Sequence, residues 1–109
     1  MTRLYISGPM TGRRGLNYPA FFAAQKELES WGYEISNPAQ YPSVEGETWA
    51  ECLRRDLHDL LDCDGVAVLP GWKKSRGARF EVNVAKRLGM EVMLTGQWTL
   101  REAGNRVDA

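Results

Sequence analysis

The clearest candidate for chemistry in this chain is a single acid within residues 71–89, GWKKSRGARFEVNVAKRLG. Glu81 lies near the start of an expected amphipathic helix. The charged residues that precede it in this stretch are all basic: Lys73, Lys74, Arg76 and Arg79. A carboxylate at this place either complements the helix dipole or serves as a reactive group. The residues alone leave both interpretations open.

A second acid, Asp56, borders the buried face of another expected helix. It follows Arg54 and Arg55, and the apolar stripe of the same helix includes Leu53 and Leu57. Asp56 therefore lies beside the stripe rather than opposite it. It is either an ion-pair partner at the border of the core or a functional acid directed toward a neighbouring site.

Two loops combine glycine with positive charge. SGPMTGRR (7–14) follows a strand-like run, and Ser75 and Gly77 precede the helix that carries Glu81. Backbone amides near glycine and at a helix N-terminus attract anions such as phosphate. Tight turns with solvated arginines explain the same residues equally well, and neither loop has a dinucleotide or P-loop motif. Trp72 either stacks on a base or covers its loop.

Hydrophobic periodicity predicts the elements that carry these loops. Strands are expected at 3–7, 33–36, 65–70 and 91–95, and helices at 18–31, 48–62 and 77–88. Trp31 and Trp49 fall on apolar stripes and are predicted to be core residues. The tail, 97–109, is expected to add a short helix or to fray.

The alternation of strands and helices predicts a three-layer α/β/α sandwich around a parallel sheet of four to five strands, flavodoxin- or Rossmann-like. The expected strand order is 2-1-3-4, which reverses the winding direction between strands 1 and 3. Ligands bind such sheets at the carboxyl ends of those two strands. These ends carry the two glycine-containing, basic loops, so a site is expected there.

The length, composition and net charge of the chain exclude several classes of protein. The 109 residues form one domain, 1–109, and the formal net charge of zero argues against a binder of extended nucleic acid. No apolar run reaches membrane-spanning length, and the N-terminus has no signal-peptide pattern, so a cytoplasmic protein is expected. Lone His58 and the spacing of Cys52 and Cys63 predict no metal site and no disulfide.

Three stretches together resemble the nucleoside 2-deoxyribosyltransferase superfamily, which includes 2′-deoxynucleoside 5′-monophosphate N-glycosidases. They are LYISGPMTG, RDLHDLLDCDGVAVLPGW and SRGARFEVNVAKRLG. The resemblance runs from about residue 3 to residue 95. Within the superfamily, the chain is most similar to small bacterial and phage-type members. Its most specific part comprises Gly77, Phe80, Glu81, Ala85 and Gly89.

The resemblance implies roles for particular residues. The nucleophilic glutamate falls on Glu81, the supporting aspartate on Asp56, and the tyrosine of the first strand on Tyr5. The phosphate-binding serine of the nucleotide-hydrolysing branch falls on Ser75. Together with the loops described above, the expected substrate-binding residues are Ser7, Gly8, Met10, Thr11, Gly12, Arg13, Trp72, Ser75 and Gly77.

The implied function is cleavage or transfer at the N-glycosidic bond of a nucleotide or deoxynucleotide, without a cofactor or metal. A non-catalytic module that binds a nucleotide on the same fold is the alternative. Nearby arginine charge and helix amides are expected to favour the ionised form of Glu81. Because relatives build their sites at subunit contacts, a homodimer or higher oligomer is also expected.

Overall fold

The computed structural model describes residues 2–10, 14–42 and 44–107. Four strands alternate with helices along this part of the chain. The strands are β1 (Arg3–Ser7), β2 (Glu34–Ser36), β3 (Gly65–Val68) and β4 (Glu91–Leu94). The helices are α1 (Tyr18–Ser30), α2 (Trp49–Leu61), α3 (Arg76–Arg87) and α4 (Thr95–Val107), with 3-10 turns at Arg14–Asn17, Pro38–Gln40 and Trp72–Lys74.

The sheet is parallel throughout, in the order β2-β1-β3-β4, which confirms the predicted topology. All four residues of β3 are buried, as a continuous apolar run predicts for a central parallel strand. Helices cover both faces of the sheet. Residues of α2 and α3 pack with Tyr5, Val66 and Val68, and residues of α1 and α4 pack with Leu4 and Ala67 on the opposite face.

This arrangement brings β1 and α3 into direct contact. Side chains alternate between the faces of a strand, so Tyr5 and Ser7 both point toward the α2–α3 layer. On α3, the buried residues include Glu81, Val82 and Ala85. The carboxylate of Glu81 is therefore directed at the carboxyl-terminal half of β1.

Within the tail that was expected to form a short helix or to fray, residues 97–107 belong to the thirteen-residue helix α4. Trp98 anchors it, since its side chain is 3% exposed and its indole Nε1 donates to the carbonyl of Val66 at 3.0 Å. The Tyr33 hydroxyl donates to the Trp98 carbonyl at 2.8 Å. A methyl group at Gly65 would lie 2.8 Å from the indole ring, so this packing requires glycine there.

The prediction that Trp49 is a core residue is wrong. Trp49 is 40% exposed, and the guanidinium of Arg76 lies 3.8 Å from the centre of its ring. Trp49 is the first residue of α2, and in a β-α-β unit the helix begins at the carboxyl edge of the sheet. Its ring therefore faces a crevice at that edge instead of the sheet. Trp31 is half-buried against the core, with Arg106 at 4.7 Å from its ring.

Within the described residues, no helix is both long and apolar enough to cross a membrane.

Candidate active site

Glu81 is a buried carboxylate held by two hydroxyl groups of β1. The Tyr5 hydroxyl donates to Oε2 at 2.5 Å, and the Ser7 hydroxyl donates to Oε1 at 2.8 Å. Glu81 is 6% exposed, and the two donors are fully buried. Each carboxylate oxygen thus accepts one hydrogen bond from a rigid strand and retains a lone pair for another contact. This fixes the orientation of the carboxylate.

A cavity of about 280 Å³ opens beside Glu81 at the carboxyl edge of the sheet. Glu81, Asp56 and Tyr5 all line it, so the three residues expected to be catalytic share one cavity. Its remaining wall is rich in apolar and aromatic side chains, which include Met10, Leu16, Tyr18, Phe21, Tyr41, Trp49 and Leu53. A few polar groups in an apolar, aromatic cavity are typical of a small-molecule site.

The electrostatics of Glu81 differ from the prediction. The pKa of Glu81 is raised to about 7. Burial is the main cause, the charge of Asp56 acts in the same direction, and the hydrogen bonds from Tyr5 and Ser7 act against it. We expected arginine charge to favour the ionised form, and this expectation is wrong. The groups that favour ionisation are the two buried hydroxyls.

The pKa of Asp56 is also raised. Its value is about 6, with burial as the main cause; Arg55 lowers the pKa, and the charges of Asp59 and Glu47 raise it. Burial and the nearby charge of Glu81 likewise raise the pKa of Tyr5 well above its ordinary value, so Tyr5 remains a proton donor. Two carboxyl groups that titrate near neutral pH on one cavity wall are suited to proton transfer.

These pKa values predict that the protein loses stability as the pH rises. Glu81 titrates near 4.5 when unfolded and near 7 when folded, so between these values the folded state binds more protons. The free energy of unfolding therefore falls in this range, by about 2 kcal/mol from pH 5 to pH 8 for Glu81 alone. Asp56 acts in the same direction. Urea unfolding at a series of pH values measures the change.

Glu81→Gln should flatten this dependence and be more stable than the wild-type protein at pH 8, because no buried carboxyl group remains to be ionised at that position. The matched control is Glu51→Gln, since Glu51 is an exposed acid in the first turn of α2. Its stability should follow the wild-type curve. A wild-type stability that rises from pH 5 to pH 8 would contradict the raised pKa of Glu81.

Four of the expected binding residues, Gly8, Met10, Ser75 and Gly77, line the cavity. A methyl group at Gly8 would lie 2.8 Å from the Cβ of Leu69, so the close approach of the two strand ends depends on this glycine. The Ser75 hydroxyl accepts from the amide of Ala78 at 3.2 Å and caps α3. The loops after β1 and β3 therefore meet at one place, where the strand order predicts a crevice.

The other expected binding residues are placed differently. Ser7 holds Glu81 and has no exposed surface. Trp72 packs against the core cluster of Tyr5, and Lys73 lies 5.8 Å from the centre of its ring. Trp72 is not among the described residues that line the cavity. Thr11, Gly12 and Arg13 lie outside the described residues.

Sequence reasoning missed several lining residues of the segment between β2 and α2. Tyr41 and Glu47 come from a polar loop without periodicity. Arg55 of α2 also lines the cavity, although the sequence identifies it only as a neighbour of Asp56. The guanidinium of Arg55 binds both oxygens of Glu47 at 3.2 and 3.0 Å, and it donates to the Tyr41 carbonyl at 3.0 Å. An acid eight residues before an arginine was the only signal.

No group of three or more potential ligand side chains (His, Cys, Asp or Glu) that could hold a metal ion occurs in the described ranges.

Comparison with known proteins places the site inside a family domain. A family model described as a domain of unknown function, DUF4406, matches residues 2–94. The match spans all four strands and helices α1 to α3, with every described lining residue of the cavity. No curated protein matches the chain.

Proposed function

This chain belongs to the DUF4406 family, whose description gives no activity, and from the geometry of the cavity we propose that it is an N-glycosidase or 2-deoxyribosyltransferase acting on a nucleotide or deoxynucleotide. In this proposal Glu81 is the nucleophile and Asp56 the acid that assists the departing base. Tyr5 and Ser7 orient Glu81. The resemblance to the nucleoside 2-deoxyribosyltransferase superfamily supports the same roles, and it also supports a homodimer.

The observation that carries the proposal is the way Glu81 is held. Burying a carboxylate is costly unless it is hydrogen-bonded, and this one is aimed into an open cavity by two hydroxyls that have no other described acceptor. An acid that only complements the helix dipole would lie in the first turn of the helix, whereas Glu81 lies beyond the first turn of α3. A pre-oriented carboxylate instead suits attack on a carbon that becomes positively charged.

The proposed reaction proceeds through a covalent sugar ester. An oxygen of Glu81 bonds to C1′ as the bond from C1′ to the base nitrogen breaks, and the electron pair of that bond stays on the nitrogen. Protonated Asp56 gives its proton to the departing base. A water molecule then attacks C1′, returns a proton to Asp56, and releases the sugar phosphate and Glu81. A second base in place of water would give transfer.

The cavity wall supports a planar leaving group and an anionic end. Tyr18, Tyr41 and Trp49 offer aromatic surfaces against which a base can stack. At the other side, the cavity is lined by Gly8, which follows β1, and by Ser75 and Gly77 at the N-terminus of α3. A phosphate there would meet the positive end of the helix dipole.

A panel of nucleosides, ribonucleotides and deoxynucleotides tests the proposal. Each is incubated with the full chain, and released base is separated by chromatography. We expect base release from at least one deoxynucleoside monophosphate, and less from the matching nucleoside, which lacks the phosphate. Adding a second free base distinguishes transfer from hydrolysis, because transfer yields a new nucleotide. No release from any member over hours would contradict the proposal.

A non-catalytic binding module is the second candidate, and it would use the neutral form of Glu81 that the raised pKa provides. With a pKa of about 7, roughly half of the Glu81 carboxyl groups are neutral at pH 7 and cannot act as nucleophiles. A neutral carboxyl group can still donate to a sugar hydroxyl. Calorimetric binding of a nucleotide without base release, retained in Glu81→Gln, would support the module.

A further inference from the structure

We propose that Glu47 and Arg55 form a paired element of the cavity wall that controls the charge state of Asp56. This assigns a role to two residues for which neither the sequence motifs nor the proposed reaction has a use. The kinetic part of the inference rests on the proposed function, whereas the titration of Asp56 does not.

Arg55 interacts both with the loop that contains Tyr41 and Glu47 and with Asp56. Its Nη1 and Nη2 atoms are bound to Glu47 and to the Tyr41 carbonyl at 3.0–3.2 Å. Its third nitrogen, Nε, lies 4.0 Å from Oδ1 of Asp56, which is too long for a hydrogen bond. This Nε is buried and has no hydrogen-bond partner among the described residues. Arg55 therefore attracts Asp56 electrostatically while its hydrogen bonds hold the loop.

Glu47 and Asp56 both lie near the guanidinium of Arg55, and Glu47 makes the closer contact. Its side chain is 14% exposed and also accepts from the Cys52 thiol at 2.8 Å and from the Val44 amide at 3.2 Å. These contacts, with that of the Cys52 thiol first, lower the pKa of Glu47, so it is an anion at neutral pH. Because Glu47 accepts from Nη1 of Arg55 and the Tyr41 carbonyl accepts from Nη2, the guanidinium cannot turn to form a two-point contact with Asp56.

Several other titratable groups surround Asp56. Asp59 lies on the same helix, Glu81 faces it from α3, and the neutral hydroxyl of Tyr5 faces it from β1. Of the groups that act on the pKa of Asp56, Arg55 alone lowers it, while Asp59 and Glu47 raise it. Removing Arg55 and removing the charge of Glu47 must therefore shift Asp56 in opposite directions.

The test is a carboxyl carbon-13 NMR titration of the full chain without substrate, with the Asp56 signal assigned by its loss in Asp56→Asn. In Arg55→Gln the titration midpoint of Asp56 should rise by about 1 pH unit. In Glu47→Gln it should fall, because a negative charge is lost and Arg55 is released toward Asp56. Arg55→Lys keeps the charge, so its midpoint should lie closer to that of the wild-type protein than the midpoint of Arg55→Gln does.

Arg54→Gln is the matched control, because Arg54 is the adjacent exposed arginine of the same helix and its loss changes the net charge equally. An Asp56 midpoint that moves as much in Arg54→Gln as in Arg55→Gln would overturn the inference. So would a midpoint that does not fall in Glu47→Gln. If Arg55→Gln does not fold, as judged by circular dichroism, the direction of the shift in Glu47→Gln decides alone.

The kinetic arm separates this inference from the proposed function. If the wild-type protein releases base, the pH optimum of release should move upward in Arg55→Gln and downward in Glu47→Gln. General destabilisation would lower both activities without moving the two optima apart. If the wild-type protein releases no base, the proposed function fails, and the titration still decides the role of Arg55 and Glu47.

Discussion

Glu81→Gln is expected to reduce base release by at least about 10³-fold. Glutamine has nearly the shape of glutamate and can still pair with the hydroxyls of Tyr5 and Ser7, so the cavity should keep its form. Its amide, however, cannot form the sugar ester. Initial rates on the best substrate of the panel measure the loss.

The stability of Glu81→Gln distinguishes a loss of catalysis from unfolding of the variant. Since Glu81→Gln is expected to be more stable than the wild-type protein at pH 8, lost activity there cannot come from unfolding. The control Glu51→Gln removes an exposed acid that does not line the cavity and should retain wild-type rates. Release that persists at more than a tenth of the wild-type rate in Glu81→Gln would exclude Glu81 as the nucleophile.

Asp56→Asn is expected to lower the rate by about 10²–10⁴-fold, the usual contribution of a positioned general acid. Asparagine can still hydrogen-bond to a base but cannot give it a proton. The loss should therefore be larger for poor leaving bases than for bases that depart without protonation. Comparing a natural base with an activated leaving group on the same sugar phosphate measures this difference.

The pH profile supplies a second measurement for Asp56. The proposed reaction requires an ionised Glu81, with a pKa of about 7, and a protonated Asp56, with a pKa of about 6. Activity should follow a bell with its maximum between these values, and the decline at high pH should disappear in Asp56→Asn. Asp62→Asn, an exposed acid just after α2, is the control and should keep the bell. An unchanged bell in Asp56→Asn would exclude Asp56 as the acid.

Local sequence patterns predicted the sheet and the edge of the sheet at which the cavity lies. Continuous apolar runs, such as the one that forms β3, and the apolar stripes of the helices are local patterns. The alternation of strands and helices that they indicate correctly predicted a parallel sheet in the order 2-1-3-4. Because that order fixes which strand ends are neighbours, the meeting of the loops that follow β1 and β3 was also predictable. The contact between Tyr5 and Glu81, residues 76 positions apart, agrees with this expectation.

Other features of the cavity and the core depend on long-range contacts that periodic patterns do not encode. Periodicity assigned Trp49 to a stripe but could not show that α2 begins at the edge of the sheet, and it gave no signal for Trp98, whose role depends on the space above Gly65. The pairing of Glu47 with Arg55 arises from a loop without a repeating pattern. The direction of the pKa shift of Glu81 depends on how deeply the assembled layers bury it, since desolvation is a property of all surrounding atoms rather than of neighbouring residues in the sequence.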